Sequence, residues 1–191
     1  MILLVAGLVL FLGAHSLPMF PTVRLGMQQK LGEIGYKVAY SLVSLAGVVL
    51  IAKGYGTAYE ARAIQIYTPP VWLSHLTLLF MIPAFIFFVA AYVPCRIKKA
   101  LKHPMLVAVK LWAFSHLLAN GDLASLLLFG SFLAWAVVDR ISVKKRGLAG
   151  GLPDDVVPVR FGDAIVILIG LAAYALFAFK LHPWLIGVPV A

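Results

Sequence analysis

The sequence predicts an all-α protein, a polytopic membrane helix bundle of about six transmembrane helices, and three observations predict it. Of 191 residues, 63% are apolar and only 12% charged, with a mean hydropathy of +1.01, too little polar surface to cover a water-soluble globule. The apolar residues gather in six runs suited to a bilayer core of about 30 Å, several of them short. Prolines, polar residues and most of the charges stand between the runs.

In order, the runs are Met1 to Leu17, Tyr36 to Ala52, Val71 to Val93, Met105 to Ala119, Leu123 to Val138 and Ala164 to Phe179. The first carries Ala14-His15-Ser16, which resembles a signal cleavage site, but lacks the positive start of a secretory signal and is read as a spanning helix. Pro18 and Pro21 follow it closely and Pro83 lies inside the third run, so an end or a kink is expected at each. Asn120-Gly121-Asp122 is a tight polar break that makes a hairpin of the fourth and fifth helices, with Asn120 or Asp122 capping the fifth. The long connection from Asp139 to Phe161 mixes charges with Gly147, Gly150, Gly151, Pro153 and Pro158 and reads as an irregular cytoplasmic loop. With no internal repeat, residues 1–191 read as one membrane domain.

The formal net charge of +9 sets orientation and does not point to nucleic acid, because the basic residues stand in short connections. Arg24, Lys30 and Lys37 lie in or beside the first; Arg96, Lys98, Lys99, Lys102 and Lys110 in or beside the third; Arg140, Lys144, Lys145, Arg146 and Arg160 in the fifth. Only Lys53, Arg62 and Lys180 fall on the other side. Basic connections stay in the cytoplasm, which puts both termini on the outer, periplasmic side and leaves membrane lipids as the partners of the helices.

The chemistry narrows to histidine. Cys95 is the single cysteine, so an intramolecular disulfide is excluded, and no CxxCH segment can attach a haem covalently. No carboxylate lies mid-membrane to serve a proton relay, and neither a phosphate-binding glycine loop nor an HExxH zinc pair occurs. Asp163 reads as a helix-start residue favoured by the dipole. His75 and His182 stand beside Trp72 and Trp184 and read as interfacial residues. His103, before Pro104, is either a helix-start residue or a ligand.

His15 and His116 differ, because each falls inside an apolar run, where a titratable group is costly and marks a partner or ligand. His116 lies 12 residues beyond Pro104, about 18 Å along its helix; His15 lies 9 residues from Arg24, about 13 Å if the first helix continues past its prolines. If Pro18 ends that helix, His15 sits close to the cytoplasmic interface instead. Two neutral imidazoles at similar depth in a bundle core are one way of holding haem iron. The alternative is a hydrogen bond from each ring to a carbonyl or serine on a neighbouring helix. Trp112, His116 and Asn120 follow at four-residue steps on one face, and Lys110 either snorkels to the surface or pairs with a haem propionate.

Here the residues resemble a known family. The segment KHPMLVAVKLWAFSHLLANGDLASLLLFGSFLAWAVVDR from Lys102, GAHS around His15, and GYKVAYSLVSLAGVVLIAKGYG from Gly35 are similar to the NnrU family of bacterial membrane proteins, nearly end to end. The resemblance implies a multi-pass protein of the bacterial inner membrane, associated with denitrification through the expression or activity of nitrite and nitric oxide reductases. It makes nitrogen-oxide respiratory proteins possible partners. More distantly, the same pattern resembles zeta-carotene isomerase, a membrane enzyme with haem b that isomerises a cis double bond. That likeness implies His15 in GAHS and His116 in WAFSH as the axial ligands, and it shares His103-Pro104. Where the isomerase has a further histidine and a cysteine, this chain has Lys53-Gly54-Tyr55-Gly56 and Ala113, departures that count against the isomerase activity more than against the haem.

The expectation is therefore a haem-b-associated protein of nitrogen-oxide respiration, with His15 and His116 on the iron and Trp112, Lys110, Asn120 and His103 about the cofactor. A haem-dependent isomerase of a polyene or carotenoid-like lipid and a non-catalytic membrane assembly factor are the alternatives, with no catalytic residue assigned.

Overall fold

A computed structural model describes residues 1–61, 64–148, 150–153 and 155–187. Among these the chain is helical throughout, apart from connections and one isolated antiparallel bridge between Gln65 and Asp122. Helix α1 spans Ile2–Ser16 and passes into a 3-10 turn, Leu17–Met19, where Pro18 withdraws its backbone donor. Helix α2, Pro21–Glu60, opens on a proline in its first turn and runs through the polar segment expected to be a connection. Gly32, at φ 71° and ψ 167°, divides it into two arms, a backbone that only glycine takes without strain. The second arm carries the apolar run from Tyr36 to Ala52.

Helix α3, Val71–Ala90, continues through Pro83. A short helix α4, Arg96–Leu101, occupies the basic third connection and ends at Lys102, whose φ is 63°. Helix α5, Pro104–Ala119, again begins on proline and is closed by Asn120, whose backbone and side-chain N–H groups donate to the His116 carbonyl at 3.0 and 2.9 Å. Asp122 starts α6, Leu123–Lys145, by accepting from the Ser125 backbone at 2.9 Å and the Ser125 hydroxyl at 2.5 Å. Of the two candidate caps, Asp122 therefore takes the role and Asn120 finishes the preceding helix. Helix α7, Gly162–Leu176, passes through a π-helical turn, Phe177–Leu181, into α8, His182–Ile186.

Five stretches are long and apolar enough to cross a membrane: Ile2–Met19, Pro21–Glu60, Val71–Ala90, Leu123–Lys145 and Gly162–Ile186. The sixth run, α5, is apolar but shorter, at 16 residues. Outward-facing Ile2, Val9, Leu42, Leu45, Val71 and Leu168 are each more than half exposed, a surface that water penalises and hydrocarbon does not.

The helices form two compact units, Met1–Ile66 with Asp122–Ser131, and Tyr67–Gly121 with Phe132–Ala191. In the first, α1 lies directly on α2 through glycine. A Cβ on Gly7 would meet the Ile51 backbone nitrogen at 2.6 Å, and one on Gly47 the Phe11 backbone at 2.9 Å, so the missing side chains set the approach. The Tyr55 hydroxyl reaches the buried Ser125 hydroxyl at 2.8 Å, and the Leu123 backbone donates to the Ile64 carbonyl at 2.8 Å.

In the second unit, α3 packs on α5 and α7. The one Thr77 hydroxyl hydrogen is shared between the carbonyls of Leu73, at 3.0 Å, and Ser115, at 2.7 Å, joining α3 to α5. Ala90, Cys95 and Val166 form a fully buried cluster at the corner of α3, α4 and α7. Asp163 also ties this corner, its carboxylate accepting from the Ile97 backbone at 3.0 Å. Tyr67 secures the α5 end: its hydroxyl is shared between the Leu117 and Asn120 carbonyls, and its backbone donates to Gly121 at 3.2 Å.

Candidate ligand site

His116 lies in the last turn of α5, and its Nδ1 stands 2.8 Å from the Trp112 carbonyl one turn earlier. A carbonyl only accepts, so Nδ1 carries the hydrogen and the lone pair of the neutral ring belongs to Nε2. A backbone acceptor that fixes tautomer and ring orientation in this way is the usual support of a metal-binding histidine. It also satisfies a histidine that binds nothing, so the surroundings must decide.

Within the second unit those surroundings are a cavity of about 300 Å³. Its walls come from α3 (Met81, Phe85 and Phe88 among others), from Trp112 and His116 on α5, and from Tyr174, Phe177 and His182 along the C-terminal helix. The rings brace one another. Trp112 meets Phe132 edge to face, with centroids 5.3 Å apart, and lies 5.6 Å from the His116 ring; Phe85 is 5.9 Å from Tyr174 and 5.7 Å from Phe177. No Lys, Arg, Asp or Glu lines the space among the described residues, and the lining residues with polar side-chain groups are His116, His182, Thr77, Tyr174 and Trp112 with its indole N–H. Such a chamber takes an apolar, flat or chain-like molecule, and imidazole is what it offers for coordination or hydrogen bonding.

The other expected residues fall elsewhere. Lys110 is half-buried on α5 but does not line the cavity, and Asn120 turns its amide back to its own helix. His103 stands before α5, where Gly150 lies so close to the ring that a Cβ there would collide with Nε2. Burial first, and then the charge of Arg140, push its pKa below the ordinary histidine value, while a hydrogen bond to the Leu148 backbone works the other way. His15 belongs to the first unit, one residue from the end of α1. Its Nδ1 is held by the Phe11 carbonyl at 2.8 Å, as His116 is held by Trp112, and its ring stacks on Phe11 at 4.0 Å and lies 5.3 Å from Tyr40. Because the helix stops before Pro18, the depth assigned to His15 by continuing α1 towards Arg24 does not apply.

His182 is the residue that sequence reasoning passed over. Flanked by Pro183 and Trp184, it reads as interfacial, yet it shares the cavity wall with His116. The signal was local: Pro183 marks a break in the helix, but the π-helical turn before it leaves no trace in the apolar pattern.

The donor set bears on what could be bound. A lone metal ion wants three or four side chains, and no group of three or more His, Cys, Asp and Glu suited to one occurs among the described residues. A macrocyclic metal needs only one or two imidazoles and apolar walls, which is what the cavity has. No curated protein and no solved structure matches the chain. The family model described as NnrU protein matches residues 3–190, so the chain belongs to the NnrU family.

Proposed function

We propose that this NnrU-family protein crosses the bacterial inner membrane six times, with both termini outside, binds haem b through His116, and acts in or beside nitrogen-oxide respiration. The observation that carries the haem reading is the aromatic cavity with His116 on its wall, the ring oriented by the Trp112 carbonyl. The likeness to the isomerase gives His15 as the second axial ligand. The orientation rests on the basic connections, and the respiratory role on the family's association with nitrite and nitric oxide reductases.

Bound haem would supply redox-active iron with affinity for small gases. The protein's part is positional. The Trp112 carbonyl fixes the His116 tautomer, so that its Nε2 would hold the cofactor, and Phe85, Phe88 and Phe177 would form apolar walls about it. The test is the absorption spectrum of detergent-purified protein expressed with ample haem, oxidised and reduced. A b-type spectrum lost in His116→Ala is expected, and a colourless wild-type protein refutes the reading.

The same apolar walls favour a second reading, a haem-dependent isomerase acting on a polyene dissolved in the bilayer. Membranes containing the protein would then change the isomer profile of an added cis-polyene on chromatography. An unchanged profile with haem present excludes it.

A further inference from the structure

We infer that the first unit carries a phosphate-binding site, suited to the headgroup of an anionic phospholipid, where the end of α1 meets the two arms of α2. The inference is independent of the haem reading, which concerns a cavity of the second unit.

Arg24, Tyr36, Lys37, Tyr40 and Ser41 of α2, with Pro18 after α1, line a cavity of about 220 Å³. Two cations and three hydroxyls thus share one small space, and no carboxylate lines it among the described residues. A guanidinium matches a pair of phosphate oxygens, an ammonium adds a compact charge, and hydroxyls donate to the oxygens that remain. A cationic ligand would be repelled from this set, and a neutral one would leave both charges unanswered.

The backbone is built to assemble it. Lys37 and Tyr40 follow Arg24 by 13 and 16 residues, about 20 and 24 Å along an unbroken helix, too far apart to line one cavity of this size. Gly32, at φ 71° and ψ 167°, breaks the helix between them and lets the two arms converge. Tyr36 is buried and Tyr40 half-buried, their rings 6.3 Å apart, with the His15 ring 5.3 Å from Tyr40, so the phenols belong to a braced wall. Arg24 and Lys37 are exposed.

Lys37 also pairs with Glu33 at 2.6 Å, and that carboxylate opposes an anion. Both side chains are well exposed, so the pair is weak, and with Glu33 counted the three charges still sum to one positive. The setting favours a lipid over free phosphate. Val23, Ile34 and Val38 are each more than half exposed along the same stretch, an apolar surface on which an acyl chain can lie. The connection is one that its basic residues place on the cytoplasmic side, where anionic headgroups attract such residues.

The experiment titrates the purified full-length chain in detergent with phosphatidylglycerol or phosphatidylcholine and counts retained lipid by native mass spectrometry, with inorganic phosphate as competitor. One phosphatidylglycerol per chain is expected to be held in preference to phosphatidylcholine, and phosphate at millimolar concentration not to displace it. Arg24→Gln and Lys37→Gln should each weaken phosphatidylglycerol binding about five-fold, the usual worth of one basic residue at an anionic surface. Glu33→Gln should tighten it, a response that a merely structural role of these exposed side chains would not give. Lys144→Gln, in another basic connection, should leave it unchanged. Wild-type affinity in the Arg24→Gln/Lys37→Gln double variant, or equal retention of the two lipids, overturns the site. Displacement by inorganic phosphate overturns the lipid assignment and makes free phosphate the ligand.

Discussion

A single methyl group added at Gly170 tests whether the contact between α7 and α3 holds the cavity wall in place. A Cβ there would meet the Ile86 Cα at 2.7 Å, its Cγ1 at 2.9 Å and its backbone nitrogen at 3.0 Å. Ordinary contact begins near 3.4 Å, so the helices must part by about 0.7 Å at the tightest point. Two of the three atoms are backbone, so a rotamer change of Ile86 relieves only part of the clash. Overpacking against backbone, which cannot swing aside, costs about 2–3 kcal/mol, the upper part of the usual range, against which alanine favours a helix interior over glycine by about 0.5–1 kcal/mol. The net destabilisation is about 1–2 kcal/mol, a factor of roughly 5–30 in the population of the opened pair. The chain contains its own reporter, because Cys95 is its only cysteine, is fully buried, and sits in the cluster that α3 and α7 close. Maleimide labelling of Cys95 in detergent should therefore run about five- to thirty-fold faster in Gly170→Ala than in the wild type. Gly130→Ala is the control, since a Cβ there meets nothing within 4 Å, and it should label at the wild-type rate. A wild-type labelling rate in Gly170→Ala would refute the argument that this glycine sets the spacing.

Asp122→Ala removes the cap of α6 and one partner of the buried Ser125 hydroxyl, and should lower stability by about 1 kcal/mol. Thermal unfolding in detergent followed by circular dichroism would show it, Asp122→Asn recovering most of the loss; an unchanged midpoint in Asp122→Ala argues against the cap. His103 gives a pH dependence. Its folded pKa lies below the unfolded value of about 6.5, chiefly through burial and then through Arg140, so the folded state binds the proton less readily. The stability it contributes is complete above about pH 6.5 and is lost as pH falls through the lower folded value. Proteolysis of the glycine-containing loop beside it, where Gly151 donates to the Lys102 carbonyl, should thus be faster at pH 5.5 than at pH 7.5, with the difference reduced in His103→Asn.

The positions of the helices were legible because hydropathy in a bilayer protein is a strong signal, and α1, α3 and α5 begin within a residue or two of their apolar runs. Their full extents were less so. Hydropathy shows where hydrocarbon is tolerated, not where backbone hydrogen bonds stop, so α2 extends well before Tyr36 and α4 forms within a basic connection. At the site, the four-residue step from Trp112 to His116 put both on one face and both line the cavity; Lys110, two residues from Trp112, lies on another face by the same geometry. His182 was illegible for the converse reason. A periodic argument assumes 3.6 residues per turn, and the π turn at Phe177–Leu181 breaks that count just before His182, which lines the cavity. The glycine contacts of α1 and α2 were equally hidden, since Gly130 has the spacing of a packing motif but meets nothing, whereas Gly7 and Gly47 make the contact.

The finish of α5 has a consequence for the surrounding lipid. Sixteen residues span about 24 Å, short of a hydrocarbon layer of about 30 Å, and a helix that stops early ordinarily presents bare carbonyls to the acyl chains. Here the Tyr67 hydroxyl is shared between those of Leu117 and Asn120, and Asn120 donates to that of His116, so part of the exposed set at the end of α5 is satisfied within the protein. Each carbonyl met in this way is one that acyl chains or water need not meet, which lowers the cost of ending so short an apolar helix at membrane depth.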